Sequence, residues 1–406
     1  MTPASTPLQN TGLNRRDCIF ALTAVAASLA GCGGGGGSFA GISSGGTGFV
    51  SVGTVRGFGS VIVNTIRFDD SGATFTDDDG SVRSRDDLRL GMVAAVDGAN
   101  VSTTTGTARN VSFGAQMVGR VTSIDVSKRR FVVLEQRVEV TGSTIFEADT
   151  VGGVTGLPLG LTSLVVGDVV EIHGFSKSEG LTATRVQRQS PGTPIFRVQG
   201  EVGNHNAASR TFRIGALSIE YSSTPTADIR FTPVNGAQVR VRLVAANPAP
   251  TVWSATRIAR AESSGAEGSK SEIEGNITAF TSASTFSVNG IAVDASAVAT
   301  PPGLALGVRV EVKGSFLGGV LVATEVELED GARVDSLEFE FEGPIGPVVG
   351  NTFVIRGVTV NFVALSPTYI NGNAAKLIGY TGVLDVKGTA GPSGTDINAT
   401  RIEFKS

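Results

Sequence analysis

Apolar residues in this chain fall two apart in short runs broken by glycine, a strand period and not a helical one. Five times such a run opens on Gly-x-Val/Ile, at Gly53 and Val55, Gly119 and Val121, Gly200 and Val202, Gly275 and Ile277, and Gly343 and Ile345. Each opening is followed by an apolar pair and then a third apolar residue at a fixed offset. The sets are Val61/Val63/Phe68, Phe131/Val133/Val138, Phe212/Ile214/Ile219, Phe286/Val288/Val293 and Phe353/Ile355/Val360. Alternation on both sides of a two-residue break predicts a tight β-hairpin, and Asn289-Gly290 supplies the positive backbone angles of a primed turn.

Later in each unit comes Leu-x-x-Gly and an alternating run that ends in Gly, as from Leu88 to Gly98, Leu164 to Gly174 and Leu304 to Gly314. The glycines fit a bent strand with a sharp entry and exit. The third unit has Leu243 at the closing position, and the fifth shifts the first glycine. Every unit ends on a small residue followed by a branched one, at Ala108/Val111, Ala183/Val186, Ala255/Ile258, Ala323/Val326 and Ala399/Ile402. The alanine is expected to allow close packing where the last strand meets the first.

The order strand, hairpin, variable segment, strand, strand is the plan of an OB barrel. The expected fold is therefore all-β, a tandem array of about five small OB-like five-stranded β-barrels. The units are placed at 49–115, 116–190, 195–261, 272–330 and 336–406, with 262–271 a linker. Pro and Gly between the third and fourth strands, as at Pro301-Pro302, predict irregular caps in place of a cap helix.

Residues 1–31 read as an export signal, with Arg15 and Arg16 ahead of an apolar stretch too short to span a bilayer comfortably. Leu29-Ala30-Gly31-Cys32 resembles the bacterial lipoprotein box, which implies cleavage before Cys32 and acylation of its sulfur. The segment around Arg15-Arg16 also looks like a twin-arginine signal, so the general secretory and twin-arginine routes both stay open. Residues 32–48 are a Gly/Ser-rich tether. The expected location is the exported side, anchored by lipid on Cys32 at the periplasmic face or the outer membrane.

Composition narrows the function classes. Basic residues number 33 and acidic 37, so the charge of -4 leaves no footprint for nucleic acid. The two cysteines, Cys18 and Cys32, both precede the repeats, which must be held by packing alone.

The repeated motifs, Gly-x-Val, Phe-x-Val and Ala-Thr-Arg-Val/Ile, resemble a bacterial repeat family, domain of unknown function 5666, itself similar to OB-fold proteins of the periplasm. The last motif is fullest at Ala183 to Val186, Ala255 to Ile258 and Ala399 to Ile402. The resemblance implies small barrels in an exported or lipoprotein setting. It brings no activity and no catalytic residues.

Candidate chemistry is sparse. His173 sits where other units have Lys313 and Lys387, an outward slot expected to be solvated, and His205 lies in a turn-like Gly-Asn-His-Asn. No histidine pair has zinc spacing, and no Gly-x-Ser-x-Gly elbow precedes a helical pattern. Glu338 to Glu342 alternates Glu and Phe, which predicts an exposed strand whose glutamates oppose edge pairing. Trp253, the one tryptophan, is assigned to packing within or between barrels. The densest acidic cluster, Asp77-Asp78-Asp79, is the one candidate metal or small-ligand site, although adjacent Asp residues lack EF-hand spacing. The expectation is a non-catalytic envelope lipoprotein without cofactor, an extended array that binds a protein or polysaccharide partner or acts as a spacer. Cation capture by the first repeat is an alternative, and an uncharacterised enzyme is another.

Overall fold

The structure, a computed structural model, describes residues 48–148, 160–177, 179–189, 195–246, 249–261, 265–329, 337–392 and 394–405. Arg15, Arg16 and the Leu29 to Cys32 box lie outside the described residues.

The first repeat holds β1 (Phe49–Phe58), β2 (Val61–Val63), β3 (Ile66–Asp69), β4 (Thr74–Asp77), β5 (Val93–Ala99) and β6 (Thr105–Phe113). The second holds β7 (Met117–Asp125), β8 (Arg130–Val133), β9 (Gln136–Ala148), β10 (Val169–Lys177) and β11 (Gly180–Arg188). The third holds β12 (Ile195–Asn206), β13 (Thr211–Ile214), β14 (Leu217–Glu220), β15 (Gln238–Val244) and β16 (Trp253–Arg260). The fourth holds β17 (Lys270–Ser282), β18 (Thr285–Val288), β19 (Ile291–Asp294), β20 (Arg309–Leu317) and β21 (Val320–Leu328). The fifth holds β22 (Glu338–Pro344), β23 (Thr352–Ile355), β24 (Val358–Asn361), β25 (Thr368–Ile370), β26 (Val383–Ala390) and β27 (Ile397–Phe404). β17 begins at Lys270, inside the stretch read as a linker. Among the described residues the helical pieces of the caps are short 3-10 turns, such as Arg85–Asp87, and no helix is long and apolar enough to cross a membrane.

Strand pairing closes each circuit in the same way. In the second repeat β7 pairs with β8, β8 with β9, β9 in parallel with β11, β11 with β10, and β10 back with β7. The first, third and fourth repeats repeat this order, and the fifth joins its first two strands through the single bridge Ile345 to Ile355. The last strand therefore never meets the first. It lies between the third and fourth, which corrects the expected place of the small residue.

Two glycine positions follow from this geometry. A Cβ on Gly53 would stand 1.7 Å from Asn64 Oδ1, and one on Gly275 would stand 2.0 Å from Asn289 Nδ2. The opening Gly at these two positions makes room for an asparagine of the hairpin turn folded back over it. The closing glycine sits at a β-bulge: Gly174 faces Ala183, and Gly314 faces Ala323, with the register slipping beside each. A Cβ on either would lie 2.1 to 2.2 Å from a carbonyl oxygen of the last strand. The alanine and the glycine are two halves of one close approach.

The bulge also explains the threonine of Ala-Thr-Arg-Ile. The extra residue leaves the opposite carbonyl short of a donor, and Thr256, Thr324 and Thr400 donate their hydroxyls to Arg242 O, Lys313 O and Lys387 O, each at 3.2 Å.

The repeats are not strung out as an extended array. β1 pairs in parallel with β17 of the fourth repeat and, near its end, with β22 of the fifth, while β7 pairs with β12 of the third. Repeats 1, 4 and 5 thus share one sheet, and repeats 2 and 3 another. Cores cross the same boundaries: repeats 2 and 3 form one buried cluster, and Leu90 and Ile145 enter the core of repeat 5. β22 is accordingly no open edge. Its phenylalanines are buried as expected, but Glu340 pairs with Arg67 of the first repeat at 2.7 Å.

Candidate functional site: charged ladders on the barrel walls

Because the first, fourth and fifth strands of every repeat share one register, their outward side chains form a ladder at equivalent places. The rungs beside the bulge are His173 with Arg185, Arg242 with Arg257, Lys313 with Glu325, and Lys387 with Arg401. The slot holding His173 was read correctly as outward. Its solvation was not: His173 is 1% exposed, because its outward face turns into a seam between repeats.

The ladder of repeat 3 is cationic. Arg197, Arg240, Arg242 and Arg257 stand together, and the acidic loop of repeat 1 plugs into them. Asp78 pairs with Arg197 and, at 3.1 Å, with Arg240; Asp79 pairs with Arg242 and, at 3.8 Å, with Arg257. Burial pushes the Asp78 carboxyl up, but Arg197 and Arg240 outweigh it and hold it below the usual carboxylate range. Asp77 is used inside its own loop, accepting from Asp79 N at 3.0 Å, Ser81 N at 2.8 Å and Arg83. The three aspartates offered as a metal site are thus engaged by arginines and loop amides. Among the described residues no His, Cys, Asp or Glu cluster could hold a metal ion.

Between repeats 1 and 4 lies a second ion cluster. Glu274, on β17, accepts from Thr54 N at 2.9 Å and pairs with Arg56 at 3.0 Å and Arg309 at 2.6 Å. Burial opposes its charge, yet Arg309 and Arg56 bring it down to about 2. Arg309 lies 4.7 Å over the Phe175 ring of repeat 2, where Asn276 Nδ2 also donates to Phe175 O at 2.9 Å.

Repeat 2 carries a mixed ladder. His173 Nε2 lies 3.1 Å from Glu171 Oε1, and Arg185 donates to Leu90 O of repeat 1 at 3.1 Å and to Glu147. Thr184, the bulge threonine here, turns outward and donates to Gly91 O of repeat 1 at 2.6 Å. Beside this junction is a cleft of about 310 Å³, to which repeat 1 contributes Arg83 and Arg89, and repeat 2 His173, Gln187 and Gln189.

Repeat 4 carries an acidic ladder and a second cleft of about 320 Å³ against repeat 1. Lys313 is shared between Glu311 at 3.5 Å and Glu325 at 3.2 Å. Glu272, 1% exposed, receives the Thr65 hydroxyl on Oε1 at 3.3 Å, while no donor among the described residues reaches its Oε2. Burial and the neighbouring Glu311 push the Glu272 carboxyl up to about 9.

The remaining sequence candidates are structural. Trp253 is buried with its ring 5.8 Å from Phe196, in the core shared by repeats 2 and 3. His205 lies on β12, not in the turn, with Nε2 2.7 Å from the Tyr221 hydroxyl.

A family model described as a domain of unknown function (DUF5666) matches residues 118–187 and 274–327. No curated protein matches the chain. The two matched segments run through the barrels of repeats 2 and 4 nearly from first strand to last, so it is these two repeats that are similar to the DUF5666 family.

Proposed function

We propose that the chain is a non-catalytic cell-envelope lipoprotein whose cross-braced repeat head binds a partner or ligand in the clefts between barrels. The observation that carries this reading is that two clefts of about 310 and 320 Å³ are each lined from more than one repeat. Such concavities exist only because barrels pack side by side, and concave junctions between domains are where binding sites preferentially form. The export segment, the Leu29-Ala30-Gly31-Cys32 box and the glycine-rich tether support anchorage by lipid on Cys32, facing the periplasm or at the outer membrane.

Two measurements test the two halves. Fatty-acid labelling in cells should mark the wild-type chain, and Cys32→Ala should abolish the label and release the protein from membranes. A photo-crosslinking residue at Gln189 or Thr103, at the two clefts, should capture a specific envelope protein or polysaccharide. Recovery of only the head itself from both positions would refute the binding role.

A further inference from the structure

Three Asn-Gly pairs occur in the chain, Asn235-Gly236, Asn289-Gly290 and Asn371-Gly372. A glycine carries no side chain to shield its nitrogen, so that nitrogen is an intramolecular nucleophile held close to the asparagine amide carbon. What separates the three pairs is the partner of the glycine N–H. Gly236 N donates to Val202 O at 2.9 Å, and Asn235 Oδ1 is itself held by His205 N at 2.8 Å. Gly290 N donates to the Thr278 hydroxyl at 2.9 Å, while Asn289 Nδ2 donates to Glu274 O at 2.9 Å. Gly372 N donates to no group among the described residues, and Asn371 Nδ2 makes only a long contact to Phe404 O, at 3.4 Å. Exposure does not draw this distinction, since Asn235 and Asn371 are both exposed. Backbone angle does not draw it either: Asn289 and Asn371 have φ of 51° and 60°.

We propose that Asn371 is a site of spontaneous deamidation, the one of the three that the fold leaves reactive. The Gly372 nitrogen gives up its proton and bonds to Cγ of Asn371. The Cγ–Nδ2 bond breaks, and Nδ2 leaves as ammonia with that proton. Water then attacks either carbonyl of the five-membered imide and breaks its bond to nitrogen, which leaves aspartate or isoaspartate at 371. Water is the co-reactant, and nothing is oxidised or reduced. The change falls on a joint of repeat 5: Asn371 follows β25, and Asn373 caps the 3-10 turn Ala374–Leu377 by accepting from Lys376 N. A carboxylate replaces the Nδ2 donor to Phe404 O at the end of β27. Lys376, whose Nζ donates to Asn371 O at 2.8 Å and lies 4.6 Å over the Phe404 ring, stands beside the new charge. Isoaspartate also adds a methylene to the backbone at this joint.

Peptide mapping by mass spectrometry of the full-length chain, aged in detergent, follows all three pairs in one sample. In the folded chain Asn371 should convert faster than Asn235 and Asn289 by on the order of tenfold, the factor that one amide hydrogen bond to be broken before attack implies. The conversion should quicken as pH rises, because the attacking nitrogen must lose its proton. In urea, where the three amides lose their partners alike, the three rates should draw together. Asn371→Gln, whose longer side chain forms the imide ring poorly, should stop the conversion at 371. Thr278→Val takes away the hydroxyl that holds Gly290 N and should speed the conversion at Asn289 several-fold while Asn371 is unchanged. An Asn371 that stays intact, an Asn235 that converts as fast in the folded chain, a preference for Asn371 that persists in urea, or an Asn289 indifferent to Thr278→Val would overturn the proposal.

Discussion

The ladders of repeats 3 and 4 occupy matching faces of matching barrels, yet one is sealed and the other is open. Arg197, Arg240, Arg242 and Arg257 are covered by carboxylates from a loop more than a hundred residues away, whereas Glu272, pushed up to about 9 by burial and the neighbouring Glu311, lies at a cleft with its Oε2 unmet by any donor among the described residues. The difference shows what holds the repeats together. A barrel closes on its own hydrogen bonds, but its outward charges need a partner, and where another repeat provides one the two barrels lock. The cost of leaving such a charge buried alone is what makes each lock specific.

The largest predicted effect comes from unlocking the sealed ladder. Asp78→Asn leaves Arg197 and Arg240 uncompensated and should lower stability by about 3–5 kcal/mol in urea unfolding of the full chain.

A second effect separates the two ladders by pH. The Glu272 carboxyl, near 9 when folded and 4.5 otherwise, keeps a proton in the folded chain that the unfolded chain releases between those values. Stability contributed by this group must therefore fall as pH rises from about 4.5 toward 9, on the order of a few kcal/mol. Glu272→Gln should flatten that fall. Glu274 has the opposite sign: its folded value of about 2 gives stability that is complete above 4.5 and lost as pH drops toward 2. Urea midpoints of wild type and Glu272→Gln from pH 5 to 9 check the first, and of wild type and Glu274→Gln from pH 5 to 2 the second.

The smallest effects compare one threonine in two settings. Thr184→Val removes a buried bond to Gly91 O between repeats and should cost about 1–2 kcal/mol, whereas Thr324→Val removes an exposed bond within its own bulge and should cost under about 0.5 kcal/mol. Equal costs would mean that the outward turn of Thr184 does not brace repeats 1 and 2.

The barrels were legible in the sequence because what specifies them is local. Alternation, the two-residue hairpin breaks and the glycine at the bulge all sit within one repeat; the first two recur five times and the glycine four, with Leu243 in its place in repeat 3. The seams were not legible, because their partners lie far apart in the chain: Asp78 and Arg197 are separated by 119 residues, and Asp79 and Arg242 by 163. Nothing in the spacing of three adjacent aspartates tells a cation site from a plug. A signal was nevertheless present, since repeat 3 places Arg240, Arg242 and Arg257 at rungs where other repeats mix signs, so an acidic segment elsewhere had to answer them. His173 failed for the same reason. Its slot faces outward from one barrel, and a single barrel's pattern does not reveal that another repeat covers it.

The account depends most on the seam between repeats 1 and 3, and a double-mutant cycle of Asp78→Asn with Arg197→Met measures it. The two side chains pair across the buried junction, so the cycle should return a coupling of about 2 kcal/mol or more, with the double variant more stable than the two single losses predict. Strict additivity of the two substitutions would contradict the claim that charged ladders lock the barrels together.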